Sequence, residues 1–308
     1  MGSERVLIAV GSVAFDSIRT PFGTRDDILG GSATYFCVAA SYFTDVGMIT
    51  VVGDDFPEKH ISFYRRKGID LSGLEQRPGK TLRWECEYGA DMNKRVTLDT
   101  SFNVFADFSP NLSSAHRSAE FIFLGSVDPD LQLSALGQLQ RPKLVACDTI
   151  HHWIETRRNR LLQNLSAIDL LIVNDSEARQ LAGETDLMRA AGKLRNHGLK
   201  TLVIKRGDYG AVMFNGPSVF ILPAFPVEEV VDPTGAGDAF AGGMMGYLAA
   251  TGSLDDSSMR KAAVFGTVMA SFTVADFGPL RLGDLTFTEI DARYREFYRI
   301  TRFPDISE

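Results

Sequence analysis

Residues 231–243 read VDPTGAGDAFAGG and lead into an apolar run over residues 244–250 that can continue as a helix. Gly235, Ala236 and Gly237 carry small side chains or none, so the backbone there can approach a ligand closely. The first N–H groups of the helix that follows have no partners within that helix, and they are free to bind an anion. The stretch therefore predicts an anion-binding loop at the start of a helix.

An acidic side chain, Asp238, lies inside this predicted anion site. A carboxylate repels phosphate, so it has no use in a loop that only binds phosphate. It can instead act as a general base that takes the proton of a substrate hydroxyl, while the N–H groups stabilise the transferring phosphoryl group. The alternative interpretation is a helix-capping aspartate in a glycine turn.

The segment Asp232–Phe240, DPTGAGDAF, resembles the C-terminal signature of the PfkB, or ribokinase-like, carbohydrate kinases. The order of the surrounding elements is similar to that family over nearly the whole chain. The resemblance implies an α/β fold with a doubly wound, largely parallel sheet and a small β-lid. It also implies ATP and Mg²⁺ as cofactors, Asp238 as the catalytic base of a sugar kinase, and Gly235, Ala236 and Gly237 as the residues that hold the phosphoryl group.

Short apolar runs separated by helical stretches point to the same fold. This alternation is typical of a parallel sheet covered by helices on both faces. The runs are Val6–Val10, Val46–Val52, Phe121–Leu124, Leu144–Ala146, Leu170–Val173 and Thr201–Ile204. Between the first two runs, Ala33–Phe43 shows the helical period, and we expect one face of this helix to pack on the sheet. We expect a single domain over residues 1–308.

The region from Thr81 to Thr100 follows a period of two, which is typical of a half-exposed strand. Turn-forming residues at 89–93 interrupt it, and Val96 and Leu98 resume the alternation, so the pattern predicts a β-hairpin. We expect residues 81–101 to form most of the lid, with a contribution from residues 13–29. Exposed strand edges invite pairing, so a homodimer through the lid is a further expectation.

Asn174 and Glu177 follow the predicted strand Leu170–Val173 and resemble the family's NxxE element near the magnesium-bound phosphates. The resemblance assigns both residues to the cofactor site, with Glu177 reaching Mg²⁺ indirectly. Oxygen ligands and water-mediated contacts are what Mg²⁺ prefers. An ordinary helix cap, with Asn174 capping and Glu177 in the first turn, is the alternative.

Residues 205–210 read KRGDYG and end another predicted strand. Gly207 and Gly210 resemble the family's glycine turn beside the nucleotide, and Lys205 at the strand end is assigned to the same cofactor site together with Thr234 of the signature. A tight hairpin into the next strand is also predicted, and the two interpretations are compatible.

Asp16 lies just after the first predicted strand, where open α/β sheets bind ligands. It resembles the family's acceptor for sugar hydroxyls, and a carboxylate can accept hydrogen bonds from two neighbouring hydroxyls. A loop or cap aspartate is the alternative. Gly30 and Gly31 resemble the family's first glycine pair, which allows the substrate to approach the backbone, although a tight loop also explains them.

Two departures from the family concern the acceptor. Ala14 and Tyr35 stand where ribokinases commonly carry asparagines that hold the sugar, which argues against ribose. Phe15, Tyr35, Trp84 and Tyr88 can instead offer aromatic faces to a sugar ring or a nucleobase. Of these, Tyr35 and Trp84 are the predicted substrate-binding residues. Core or lid packing is the competing explanation for all four.

A monovalent cation is a further expectation from the resemblance. The loop Asp232–Thr234 and the segment Ala275–Gly278 resemble regions of the family that bind K⁺ through backbone oxygens. Asp232 and Thr234 are therefore the candidate K⁺ ligands.

Composition excludes several other classes of protein. The formal net charge of -7 argues against a nucleic-acid partner, and the apolar run before Asp16 is too short to span a membrane. The three cysteines show no spacing for zinc, which fits a reducing cytoplasm. His151 and His152 lack the spacing of a helical metal site and are expected in an exposed loop.

Two other functions compete with a sugar kinase. The aromatic residues near the expected pocket favour a nucleoside kinase of the same fold. A ligand-binding or regulatory protein without turnover belongs to a different class, and the presence of Asp238 argues against it. Substrate-dependent ADP release distinguishes all three.

Overall fold

Short apolar strands form a nine-stranded sheet at the centre of the protein. The computed structural model describes residues 7–304, so Val6, the predicted start of the first strand, lies outside the described residues with the rest of 1–6 and 305–308. The strands are β1 (Leu7–Val10), β2 (Ala14–Thr20), β3 (Gly23–Gly30), β4 (Val46–Gly53), β5 (Asp70–Arg77), β6 (Leu82–Tyr88), β7 (Arg95–Ser101), β8 (Phe121–Leu124), β9 (Leu144–Cys147), β10 (Leu170–Asn174), β11 (Thr201–Lys205), β12 (Ala211–Asn215) and β13 (Ser218–Leu222).

The large sheet has the order β13-β12-β11-β10-β9-β8-β1-β4-β5. Its strands are parallel from β5 through β11, and β12 and β13 run antiparallel at one edge. The chain builds outward from β1 to β5 on one side and then returns to β8 on the other. This reversal opens a crevice at the carboxyl ends of the strands, which is where doubly wound sheets bind ligands.

Helices cover both faces of the sheet. On β1, Leu7 and Ala9 belong to one hydrophobic core, whereas Ile8 and Val10 belong to the other. This burial on both faces confirms the predicted α/β, doubly wound fold. The helices are α1 (Ser32–Ala40), α2 (Glu58–Arg66), α3 (Ser114–Arg117), α4 (Pro129–Leu136), α5 (His151–Asn164), α6 (Asp175–Ala182), α7 (Leu187–Arg195), α8 (Ala236–Thr251), α9 (Asp256–Thr273), α10 (Leu280–Gly283) and α11 (Phe287–Thr301).

Helix α1 packs against the sheet as predicted, with Phe36 stacked on Phe123 of β8, and it is buried along its whole length. The sheet lies on one side of α1, and α8 lies on another. Helices α1 and α8 approach closely because glycines of α8 leave room for the backbone of α1. A Cβ on Gly242 would lie 2.3 Å from the carbonyl oxygen of Phe36. Phe43 lies beyond the end of the helix, where its ring contacts Phe265 and Phe287.

A second sheet has the order β3-β2-β6-β7 and contains most of the two stretches assigned to the lid. The predicted hairpin is confirmed, since β6 and β7 pair antiparallel around residues 89–94. Strand β7 is exposed along nearly its whole length, so Val96 and Leu98 are both exposed although they continue the alternation. The register of the hairpin shifts between Glu85 and Cys86, which leaves Leu98 without a partner in the pairing.

No helix within residues 7–304 is both long enough and apolar enough to cross a membrane.

Candidate active site

The glycine-rich loop enters α8 through Gly235, which has φ 75° and caps the helix. This left-handed conformation favours glycine. The ring of Tyr35 lies directly below, since a Cβ on Gly235 would lie 2.3 Å from its Cγ. Tyr35 is only 1% exposed, so the loop covers the aromatic face that the sequence analysis offered to a substrate. The side chain instead supports the loop from beneath.

Asp238 lies in the first turn of α8, next to N–H groups that have no partner within that helix, although the Ala236 N–H donates to the Pro233 carbonyl at 3.2 Å. Burial raises the pKa of Asp238 to about 6, while the positive charges of Lys205 and Arg95 hold it down. Lys205 ends β11, and its Nζ would lie 2.5 Å from a Cβ on Gly237. A carboxylate that is ionised at neutral pH therefore shares the anion loop with two cations.

Asp16 on β2 is 3% exposed and lies close to Asp238. Burial raises the pKa of Asp16 to about 8, the carboxylates of Asp232 and Asp238 add to the rise, and a hydrogen bond from Gly31 opposes it. Gly30 leaves room for this carboxylate, because a Cβ there would lie 1.9 Å from Asp16 Oδ2. The predicted acceptor residue and its glycine pair are therefore in mutual contact.

Trp84 is the partner of Asp16 in the parallel pairing of β2 with β6. Residues paired in this way project from the same face of a sheet, so the carboxylate and the indole share one side of the lid sheet. Trp84 is half-buried, and the Arg95 guanidinium lies 5.0 Å from its ring centroid. Phe15 projects to the other face and contacts Phe56 at 5.7 Å.

Asn174 and Glu177 form a capping box at the start of α6. Asn174 Oδ1 accepts from the Glu177 N–H at 2.7 Å, and Glu177 Oε2 accepts from the Asn174 N–H at 2.9 Å. The capping interpretation is thus confirmed, and Glu177 Oε1 takes no part in the capping box. Oε1 lies 3.6 Å from His151 Nδ1.

His151 was expected in an exposed loop with His152, and that expectation is wrong. His151 begins helix α5, is only half-buried, and its Nε2 lies 2.6 Å from Ser176 Oγ. The turn after β9 brings it to the residues that follow β10, because these strands are neighbours in the sheet.

The predicted glycine turn joins β11 to β12, and the predicted hairpin between these strands is confirmed. Gly207 contacts the lid, since a Cβ there would lie 1.8 Å from Asn93 Oδ1. Gly210 contacts the end of β13, where a Cβ would lie 2.1 Å from the carbonyl oxygen of Leu222. The turn is therefore held between the hairpin tip and the edge strand.

Asp232 is fully buried beneath the loop, and its Oδ1 accepts from the Thr234 N–H at 2.9 Å. Its other oxygen is buried without a hydrogen-bond partner among the described residues. The Val231 N–H donates to the Val274 carbonyl at 2.8 Å, so the loop packs on the chain just before the segment 275–278. Thr234 Oγ1 lies 3.2 Å from the Tyr88 hydroxyl of the lid.

Asp148 and Arg95 join the site, although neither residue was predicted from the sequence. Asp148 follows β9, is 5% exposed, and has a buried Oδ1 without a partner among the described residues. Burial raises its pKa well above the usual range, and the Asp238 carboxylate adds to that rise. Its position after an apolar strand, like that of Asp16, is a signal that could have identified it. Arg95 gives no such signal.

Oxygen ligands suited to Mg²⁺ lie at this edge of the sheet, in Asp148, Glu177 and Asp238. Within residues 7–304, however, no three acidic, histidine or cysteine side chains lie close enough together to hold a metal ion by themselves. These residues fit a Mg²⁺ ion that is held mainly by phosphate and water, with the carboxylates as outer partners.

The known proteins that are similar in sequence to this chain are kinases of one family. The profile of the pfkB family carbohydrate kinases matches residues 12–281. A cytidine kinase of Thermococcus kodakarensis is 32% identical over 248 residues, which are 78% of this chain and 88% of that protein. A deoxyribokinase of Salmonella typhi is 28% identical over 271 residues, 81% of this chain and 82% of that protein.

Solved structures share the fold. A nucleoside kinase of Burkholderia thailandensis, solved in complex with inosine, superposes with a TM-score of 0.78 at 20% sequence identity. The match covers 97% of this chain and 100% of that one. Together with the sequence matches, this shows that the chain belongs to the pfkB family of carbohydrate kinases and is a kinase of small molecules that carry a hydroxyl group.

Proposed function

We propose that the chain transfers the terminal phosphoryl group of ATP to a primary hydroxyl of a nucleoside. The observation that carries the choice of acceptor is the pairing of Asp16 with Trp84 on one face of the lid sheet. A carboxylate that accepts bonds from sugar hydroxyls then lies beside an aromatic surface that suits a nucleobase. The identity to a cytidine kinase supports this choice.

The proposed reaction is a direct displacement. Asp238 takes the proton of the acceptor hydroxyl as the new O–P bond forms, and the bond from the γ-phosphorus to the bridging oxygen breaks, so that ADP leaves with that electron pair. Gly235, Ala236 and Gly237 donate N–H groups to the transferring phosphoryl group, and Lys205 stabilises its charge. Asp16 holds the acceptor in line.

Asn174, Glu177, Gly207 and Gly210 are proposed to line the nucleotide side. Bound Mg²⁺ would neutralise phosphate charge there, and Glu177 and Asp148 are suited to receive hydrogen bonds from its water ligands. Two supports are the buried Asp148 Oδ1, which has no partner among the described residues, and Glu177 Oε1, which the capping box does not use and which lies 3.6 Å from His151 Nδ1. Thr234 is proposed to belong to the same cofactor site, and its contact with the Tyr88 hydroxyl supports a position between the two halves of the site.

A monovalent cation is proposed beneath the loop, with Asp232 and Thr234 contributing. The buried Asp232 oxygen without a hydrogen-bond partner supports this, because such an atom is costly unless a ligand satisfies it. Turnover should then be faster in K⁺ than in an equal concentration of a bulky organic cation, and equal rates contradict the site.

The oligomeric state and the cellular location of the protein are also proposals. A homodimer through the lid is supported by its two edge strands, β3 and β7, and light scattering that detects only monomer would count against it. A cytoplasmic location is supported by the three cysteines, which are buried and free, and cell fractionation tests it.

A substrate panel tests the acceptor. Cytidine, uridine, adenosine, inosine, ribose and 2-deoxyribose are compared by ADP release, and phosphorus NMR of the product locates the ester. We expect the highest kcat/KM for a nucleoside. In Trp84→Ala, nucleoside KM should rise about 5- to 150-fold, since loss of base stacking removes about 1–3 kcal/mol, while KM for a free sugar changes little. Trp84→Phe serves as the matched control that keeps an aromatic face.

A free sugar is the second candidate acceptor, and the identity to a deoxyribokinase favours it. Under this alternative, 2-deoxyribose has a higher kcat/KM than every nucleoside, and Trp84→Ala affects sugars and nucleosides alike.

A further inference from the structure

Arg95 lies at the start of β7, where the hairpin returns from its tip, and it pairs with Tyr88 across the two strands. The Tyr88 hydroxyl lies 3.2 Å from Thr234 Oγ1, which belongs to the glycine-rich loop. Paired residues in an antiparallel ladder lie side by side on one face. Arg95 therefore emerges from the lid next to a side chain that already contacts the phosphoryl site.

The hairpin tip is anchored on the nucleotide side as well. Asn93 Nδ2 donates to Asp208 Oδ1 at 3.1 Å, and the side chain of Asn93 lies against Gly207. Contacts on both sides of Arg95 thus hold this part of the hairpin across the crevice. One contact is with the glycine-rich loop, and the other is with the turn between β11 and β12.

Arg95 itself is not used to stabilise the hairpin through ion pairs. Its side chain forms no ion pair and no hydrogen bond within the described range 7–304, and its guanidinium lies over the Trp84 ring at 5.0 Å. The adjacent Lys94 behaves differently, because it pairs with Asp91 at 2.9 Å and is 85% exposed. An arginine kept without an acidic partner beside an anion site is available for a ligand anion.

The charge of Arg95 reaches both functional carboxylates. It lowers the pKa of Asp238 and that of Asp16, although burial raises both. It also lowers the pKa of the Tyr88 hydroxyl. The geometry agrees with these charge effects, because the guanidinium lies over the ring of Trp84, and Trp84 is the strand partner of the proposed acceptor residue Asp16.

We propose that Arg95 is a catalytic residue supplied by the lid, and that its guanidinium contacts the transferring phosphoryl group together with Lys205. This inference rests on the proposed role of Asp238 at the same site. Arginine is suited to the task, because its planar fork can donate two hydrogen bonds to phosphoryl oxygens. Since Arg95 arrives with the docked hairpin, full charge stabilisation is present only when the lid covers the site, which limits phosphoryl transfer to water.

The test compares Arg95→Ala, Arg95→Lys and the control Lys94→Ala with the wild-type enzyme. Loss of one such donor typically lowers kcat by about 10² to 10³, so we expect that fall in Arg95→Ala, with acceptor KM changed by less than about threefold. Arg95→Lys should retain more activity than Arg95→Ala, because it keeps the charge. Lys94→Ala should match the wild type.

Two further measurements separate a catalytic from a structural role. Millimolar guanidinium chloride, far below denaturing concentrations, should restore part of the kcat of Arg95→Ala and leave Lys94→Ala unchanged. The acid limb of the pH profile should also move to higher pH in Arg95→Ala, because Asp238 loses a positive neighbour.

Near-normal kcat in Arg95→Ala overturns the inference. So does a loss of kcat with no rescue and an unmoved acid limb, which would assign Arg95 to lid packing. Asp238→Asn makes failure of the proposed function distinguishable, since it should be inactive and should not respond to guanidinium. If the wild-type enzyme phosphorylates no nucleoside, the choice of acceptor fails, and Arg95 is then tested with the sugar that is turned over.

Discussion

Replacement of Asp238 by Asn is the most direct test of the proposed chemistry. Asparagine keeps the size of the side chain, but it cannot take a proton at neutral pH. Asp238 is half-buried in the first turn of α8. The helix start remains intact in the variant, so we expect the fold and nucleotide binding to survive while turnover falls.

The expected loss follows from the environment of Asp238. Burial raises its pKa to about 6, so about nine-tenths of the wild-type protein carries the ionised base at pH 7. The variant therefore loses nearly all of the general-base contribution, which is typically about 10² to 10⁴ in rate, or about 3–5 kcal/mol of barrier. Nucleotide affinity should stay constant or increase, because a negative charge near phosphate is removed.

The pH dependence of kcat/KM gives a second measurement of the same residue. A base works when it is deprotonated, so the wild-type rate should fall about tenfold per unit as the pH drops below about 6. The charged and titratable groups that act on Asp238 are Lys205 on β11, Arg95 on the lid, Glu177 on α6, Asp148 after β9 and Asp16 on β2. The low limb should disappear in Asp238→Asn.

Asp16 is expected to add a second rise to the pH profile of kcat/KM, at higher pH than the rise that Asp238 produces. Burial raises its pKa to about 8, and only its ionised form accepts hydrogen bonds through both oxygens, so kcat/KM should rise further as the pH increases through about 8. Asp16→Asn should remove this limb and leave the lower one in place.

The assay measures ADP release at saturating ATP, with nucleotide binding followed by calorimetry and folding by circular dichroism. The reasoning is refuted if folded Asp238→Asn keeps kcat within about threefold of the wild type. In that case Asp238 serves the helix start alone, and the capping interpretation is correct.

Three other predictions follow from buried contacts. Gly30→Ala should raise acceptor KM at least about tenfold with unchanged ATP affinity, because a Cβ there would meet Asp16 Oδ2 at 1.9 Å; equal KM values would contradict this contact. Tyr35→Phe removes a buried hydroxyl that has no partner among the described residues, so its melting temperature should equal or exceed the wild-type value, with acceptor KM within about twofold. A tenfold rise in KM would instead show that this hydroxyl binds the acceptor. The three cysteines are buried, and burial raises the pKa of Cys86 to about 12, so a thiol reagent should label them only after denaturation. Rapid labelling of the native protein would refute that burial.

Residues close together in the sequence could be interpreted without the structure. The loop before Asp238 is predicted from three small residues at the start of a helix. The apolar runs predict the parallel sheet, because strands of such a sheet are buried on both faces. The hairpin follows from its period and turn residues. These signals are local, so one segment contains all the information that they need.

Tertiary structure alone decided which distant residues meet. Arg95 reaches the site through the pairing of β6 with β7 and the docking of Asn93 on Asp208, and His151 reaches Glu177 because β9 and β10 are neighbours. The hairpin has a register shift that leaves Leu98 without a strand partner, and β7 is exposed along nearly its whole length although its sequence alternates. Periodicity reports which residues share a face of one element, whereas register, bulges and the packing of glycine-bearing helices determine what that face contacts. Such contacts depend on the whole fold, and a single segment does not encode them.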